Sequence, residues 1–259
     1  MKILVTNDDG IDSVFLHELV FALLREGHEL FVAAPMHEQS WIGAAKSRNR
    51  PVSVKVADRG FGCKTWVVDG TPSDCVNIAI AHLIGIRPDA VVSGINIGLN
   101  ASLGFILASG TIAGAWEGAV HGLPAIAISQ DLTFPAFDNL KKHGGAPEPE
   151  LLETLRVSAK RTAQMANELI GATERESFTV HNLNFPYPCR HDTAIERTSP
   201  ARVIIPQLFG PAADDGTHRF VFRLGHDISP PESKTDRAAL LAGKISHTVL
   251  DYRALGVQR

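Results

Sequence analysis

The chain contains only three cysteines, Cys63, Cys75 and Cys189, among 259 residues. Their number is odd and their spacing is not that of a metal cluster, so neither a disulfide framework nor a thiolate metal centre is expected. No apolar run approaches the roughly 20 residues that cross a bilayer. The first residues read directly as a strand, with no charged leader ahead of an apolar core, and the expectation is a cytoplasmic protein with no membrane partner. A formal net charge of -3, without dense Lys and Arg clustering, argues against a nucleic-acid polymer as the main partner. Also missing are a GxxxxGK[ST] loop, a GxGxxG turn after a strand and a GxSxG elbow. These absences weigh against P-loop NTPases, kinases, dinucleotide-binding dehydrogenases and nucleophile-elbow hydrolases.

The most informative feature present is Asn7-Asp8-Asp9-Gly10, which follows the apolar run Ile3-Leu4-Val5. That run predicts a buried parallel strand, whose carboxyl end is where an open α/β sheet keeps its ligand. Two adjacent carboxylates there, at roughly 5 Å in an effective dielectric near 20, repel by about 3 kcal/mol. A shared hard dication or a proton would relieve the repulsion. Alternatively, one Asp faces solvent while the other caps the next helix.

With 44% apolar and 20% charged residues, the chain can bury one large core or a main body with an appendage. Val14, Phe15, Leu19, Leu23 and Leu24 recur at helical spacing before Gly27. Strands are expected at Glu29 to Ala33, Val52 to Val56, Thr65 to Val68, Ala90 to Val92, Pro124 to Ile128 and Phe178 to Leu183. Thr71-Pro72-Ser73-Asp74 predicts a capped helix start. A Gly- and Asn-rich loop is expected up to Ala108, then a helix from about Thr111 to His121, in which Gly110, Gly114 and Gly118 suit close packing on the sheet. Phe134 to Pro149 reads as a loop or linker. A long helix follows with Leu152, Leu155, Ala159, Ala166 and Leu169 on its apolar face and Gly171 at its end. Val203 to Ile205 and Phe220 to Leu224 predict an antiparallel hairpin, more naturally an assembly element than a site.

Further polar residues fall where parallel strands end: Ser40 after the second, and Asn96 in Ser93-Gly94-Ile95-Asn96. If these converge with Asp8 and Asp9, the set is all oxygen and suits Mg2+, Mn2+ or Ca2+ rather than zinc. Taken singly, Ser40 is also an ordinary loop hydroxyl, and Asn96 suits a left-handed turn. Ser109-Gly110-Thr111 precedes a helix, so its hydroxyls and free N–H groups can hold a phosphate or simply cap the helix. Lys46, Arg48 and Arg50 either face an anionic substrate or belong to a solvated loop.

Asn7-Asp8-Asp9-Gly10, the Pro35 to Ser40 spacing, Gly70-Thr71-Pro72-x-Asp74-Cys75-Val76, Ser93-Gly94-Ile95-Asn96-x-Gly98-x-Asn100 and Ser109-Gly110-Thr111 together resemble the SurE family of stationary-phase survival nucleotidases. The match covers roughly the first 130 residues and continues more weakly through Asn182-Leu183-Asn184-Phe185-Pro186 and Thr235-Asp236. The resemblance implies a Rossmann-like α/β fold, a mostly parallel sheet with helices on both faces, and a carboxyl-terminal β-hairpin or arm for oligomerisation into homodimers or homotetramers. The expected division is a catalytic body over 1–188 and an arm region over 189–259. The implied activity is divalent-metal-dependent hydrolysis of nucleoside 5'- or 3'-monophosphates, with one Mg2+ or Mn2+ per subunit. A metal- and nucleotide-binding homologue without turnover is the alternative. Position by position, Asp8, Asp9, Ser40 and Asn96 match the family's metal ligands, with Asp8 and Asp9 the catalytic pair, while Asn100, Ser109, Gly110 and Thr111 match residues around the phosphate. The rim departs from the family pattern. Ser13-Val14-Phe15 stands where Ala-Pro-Gly is common, Trp41 where Gly is usual, and Ala108 in place of Tyr, changes expected to bear on specificity rather than on the chemistry.

Overall fold

The computed structural model of the chain describes residues 1–255. The last four positions of the expected 189–259 region, 256–259, lie outside the described residues. Among the described residues the main sheet has nine strands. In chain order they are β1 (Lys2–Thr6), β2 (Glu29–Pro35), β3 (Val54–Val56), β4 (Lys64–Val68), β5 (Ala90–Ile97), β6 (Ala125–Gln130), β7 (Thr179–Phe185), β8 (Ile195–Thr198) and β11 (Ile245–Asp251). Their spatial order is β3-β4-β2-β1-β5-β6-β7-β11-β8. The six strands from β4 to β7 run parallel, β3 is antiparallel at one edge, and β11 pairs antiparallel to β7. The short strands β9 (Val203–Ile204) and β10 (His226–Asp227) form a separate antiparallel pair.

Alternation along β1 divides the core between the two faces of the sheet. Ile3 and Val5 point to the face covered by α1 (Val14–Arg25) and α6 (Pro149–Ala172), while Leu4 packs on the side of α2 (Pro72–Ile78). Helix α1 begins where its apolar spacing predicts, burying Phe15, Leu16, Leu19, Val20 and Leu23, and the chain leaves it through Gly27 at φ +82°. Helix α2 starts with the expected reciprocal cap between Thr71 and Asp74 and runs into a π turn over Ala79–Leu83. Helix α4 (Gly110–Val120) lies against the sheet on its glycines. A Cβ on Gly110 would meet Asp8 Cβ at 2.8 Å, one on Gly114 would meet Thr6 Cγ2 at 2.8 Å, and one on Gly118 would meet Val91 Cβ at 2.5 Å. The four-residue glycine spacing is therefore a packing stripe that brings the helix backbone onto β1 and β5.

The structure corrects several expectations. The segment ahead of Ala108 is not all loop, because Leu103–Ala108 forms helix α3 and buries Phe105 and Ile106. Residues 134–149 are not a linker either, since Thr133 caps α5 (Phe134–Lys142) and Pro135 sits in its first turn, where a proline is tolerated. Flanking glycine, serine and asparagine hid α3, and proline and charge hid α5. In α6, Leu151 rather than Leu152 is fully buried, Leu152 and Leu169 are only half-buried, and Gly171 lies inside the last turn. The hairpin is real, but Phe220 to Leu224 is not a strand. Its pairing runs through Val203 with Asp227, Ile204 with His226, and a single bridge between Phe209 and Phe220. Beyond residue 188, β8 and β11 extend the main sheet, and α7 (Asp236–Leu241) packs on them.

Gly118→Ala should lower stability by about 1–3 kcal/mol, the usual cost of overpacking, read as a fall in the urea midpoint. Val91→Ala in the same chain should restore part of the loss.

Candidate functional site

At the carboxyl ends of the parallel strands opens a cleft of about 1890 Å3, lined in part by Asp8, Asp9, Ser40, Asn96, Asn100 and Ser109. Six of the eight expected site residues thus face one space. The other two, Gly110 and Thr111, stand behind Asp8. Gly110 lets the helix backbone approach the carboxylate, and the Thr111 hydroxyl donates to Asp8 Oδ1 at 2.6 Å.

The site is assembled by loops pinned to strand ends. Asn7 donates from Nδ2 to Gly10 O at 2.9 Å, and Gly10 turns at φ +97°, which presents Asp8 and Asp9 in succession. The Gln39 N–H donates to Asp8 O at 2.7 Å and the Ile11 N–H to Pro35 O at 2.9 Å, fastening the Ser40 loop to the end of β1. Asn96 lies within β5 rather than in a loop after it, beyond a shift of register between Ser93 and Asn96. At this shift Gly94 has φ +138°, and a Cβ there would meet Ile128 O at 2.5 Å.

Asp8 is almost wholly buried. Burial lifts its carboxyl to about 6, against the opposing pull of the Thr111 hydroxyl. Asp9 accepts from the Ile97 N–H at 3.0 Å, yet burial first and the adjoining Asp8 charge second push it well above the ordinary carboxylate range. The exposed Glu38 adds further negative charge. A cation touching both aspartates would offset the cost of holding them here. Asn96 donates through Nδ2 to Gly98 O at 2.9 Å, which leaves its side-chain carbonyl free to face a ligand. Ser40 is exposed and donates to Glu38 Oε1 at 2.6 Å, keeping lone pairs on its oxygen. Among the described residues no group of three or more His, Cys, Asp or Glu is placed to hold a metal. A cation here would therefore draw on serine and asparagine oxygens as well, a donor set that fits Mg2+ or Mn2+.

Ser109 caps α4 by accepting from the Ile112 N–H at 3.0 Å, so the amino terminus of the helix opens toward the cleft beside the carboxylates. Asn100 is held from every side. Its Nδ2 donates to Ser129 Oγ at 2.9 Å and Thr111 Oγ1 at 3.3 Å, its N–H donates to Asn184 Oδ1 at 2.7 Å, and its carbonyl accepts from Asn182 Nδ2 at 2.9 Å. Asn182 and Asn184 were quoted in the sequence but given no role. Their two-residue spacing on a strand puts both on one face, which is the signal that could have assigned them. Also missed was Asp236, fully buried, which accepts from the N–H groups of Ser102, Ala201 and Arg237 at 2.8 to 2.9 Å and so ties the cleft loop to the carboxyl-terminal region. Asp131 lines the cleft, and burial raises its carboxyl to about 6. The basic run stays outside the cleft lining. Lys46 pairs with the buried Glu117, and Arg50 with Asp69 at 3.2 Å.

A mostly parallel sheet flanked by helices, with a cleft at its strand ends, defines a Rossmann-like α/β protein. The chain belongs to the SurE family, since the family model for Survival protein SurE matches residues 3–205. It is 36% identical over 257 residues to the 5'-nucleotidase SurE of Solidesulfovibrio magneticus, a match that spans 97% of this chain and 92% of that protein. With the 5'-nucleotidase SurE of Methanosarcina acetivorans it shares 34% identity, over 95% of this chain and 90% of the other. The crystal structure of the SurE protein from Aquifex aeolicus superposes with a TM-score of 0.71 at 25% identity, covering 97% and 93% of the two chains.

Asn184→Ala would leave the buried Asn100 N–H without an acceptor. A loss of about 1–3 kcal/mol is expected, measured by urea denaturation.

Proposed function

We propose that this protein is a divalent-metal-dependent phosphatase that hydrolyses nucleoside 5'- or 3'-monophosphates to nucleoside and phosphate. The observation that carries the reading is the adjacent pair of buried Asp8 and half-buried Asp9 at the end of β1, with Asp8 against the amino terminus of α4. That arrangement would suit a cation beside an anion. The relatives named 5'-nucleotidase SurE support the choice of substrate class.

Asp8, Asp9, Ser40 and Asn96 would hold the cation. When bound, a Mg2+ or Mn2+ ion would neutralise phosphate charge and activate water for in-line attack at phosphorus. The remaining work falls to the chain itself. Ser109 and the first amides of α4 stabilise negative charge on the transferring phosphoryl group. Asn100, clamped by Asn182, Asn184 and Ser129, fixes the floor of the cleft beside it. Thr111 orients Asp8 from behind. The body over 1–188 supplies these groups, and the arm region that follows is the element through which subunits would assemble into dimers or tetramers in the cytoplasm.

Phosphate release from a panel of nucleoside monophosphates, with Mg2+, Mn2+ or EDTA, tests the reading. Release is expected only with metal, and Asp9→Asn should abolish it while leaving the thermal transition in place. A folded wild-type protein that binds Mn2+ but frees no phosphate from any substrate would instead identify a binding homologue.

A second expectation concerns Thr111→Val. Losing the hydroxyl that orients Asp8 should weaken Mn2+ binding roughly 10- to 100-fold, the usual cost of removing an outer-shell partner, as read by titration calorimetry.

A further inference from the structure

We infer that the cleft contains a stacking site for the planar ring of the leaving nucleoside, built around Trp41, and that Trp41 sets a preference for substrates carrying such a ring. This inference rests on the phosphatase reading above and specifies which part of the substrate the rim recognises. The cleft, at about 1890 Å3, exceeds the roughly 300–1,000 Å3 of most small-molecule sites, so it has room for far more than a phosphate group. Beside the polar floor stands an aromatic wall. Trp41 follows Ser40 directly, and its ring lies 5.3 Å from that of Phe105 and 4.9 Å from that of Phe220. Phe222 joins at 6.3 Å from Trp41 and 5.9 Å from Phe105, and all four residues line the cleft. Phe220 and Phe222 come from the arm, which folds back over the cleft of its own chain.

Two observations separate this wall from an ordinary apolar clasp. First, the rings meet at 55° to 73°, tilted or edge toward face with no parallel stack among them, and Trp41, Phe220 and Phe222 remain 36%, 43% and 45% exposed. Open aromatic faces beside a phosphate site are what a base stacks on, whichever base it is. Second, Trp41 adopts φ +60°, a left-handed conformation that a bulky L-residue enters only at a cost. Glycine would adopt it freely, and strain retained next to a reactive centre points to a use for the side chain.

The test compares the wild-type protein with Trp41→Gly, which fits φ +60° without strain, and Trp41→Phe, which keeps a ring. Kinetics with Mn2+ are measured on adenosine 5'-monophosphate and on glycerol 3-phosphate, which has the phosphate but no ring. Adenosine, which has the ring but no phosphate, is titrated calorimetrically. In Trp41→Gly the ratio of kcat/KM for the nucleotide over glycerol phosphate should fall roughly tenfold, through KM rather than kcat. Adenosine affinity should fall in parallel, and Trp41→Phe should retain most of both. Equal losses on the two substrates, or an unchanged ratio with unchanged adenosine affinity, would overturn the inference and reduce the wall to a clasp between arm and body. Adenosine binding that depends on Trp41, in a protein that frees no phosphate from any ester, would support the ring site while removing the phosphatase reading.

Discussion

Everything at the cleft depends on two adjacent carboxylates withdrawn from water at the end of β1, Asp8 buried and Asp9 half-buried. Aspartates in such a place are disfavoured by loss of water, which raises both carboxyls, and the charge of Asp8 raises Asp9 further. The surrounding chain is arranged to tolerate them. Thr111 donates a hydroxyl to the first, Ile97 a backbone N–H to the second, and Gly110 gives up a side chain so that the end of a helix can stand against them. A methyl at Gly110 would collide with Asp8 itself, so the glycine stripe of α4 joins core packing to site geometry in one element.

The carboxyl-terminal quarter is bound to this centre by polar as well as apolar contacts. Asp236 collects three backbone N–H groups from the cleft loop, from the segment leading to the hairpin and from its own helix. Arg237 carries the connection onward, donating to Leu224 O and lying 5.3 Å above the ring of Phe105. The returning arm is thereby held over the cleft, where its phenylalanines meet Trp41. Strands β8 and β11 meanwhile complete the sheet beyond β7, so the region after residue 188 contributes to the body as well as to the arm.

Much of this was legible in the sequence. Apolar runs marked β1 to β7, helical spacing marked α1 and α6, and Thr71-Pro72-Ser73-Asp74 marked a capped helix that the structure contains. Asp8, Asp9, Ser40 and Asn96 could be proposed together because a parallel sheet brings its strand ends to one edge, whereas Asn100 was proposed only through the resemblance to the SurE family. Helices α3 and α5 were missed because each is short, α3 set among glycine, serine and asparagine and α5 among proline, glycine and charge, where local composition favours a loop and only tertiary contacts tip the balance. Phe105 gains its stability from the arm's Phe222 and from Trp41, residues far from it along the chain.

The chain by itself determined the α/β class, the order of the central elements and the carboxylate pair, since these follow from periodicity and from chemical types that neighbouring residues carry together. What only the tertiary structure decided is which polar groups meet. It placed Thr111 behind Asp8 instead of in the cleft lining, clamped Asn100 between Asn182 and Asn184, removed Lys46 to a partner on α4, and turned the arm's aromatic rings inward over the cleft. Each of these contacts joins residues distant in sequence. Their energies depend on distance and burial, and no local pattern records either quantity.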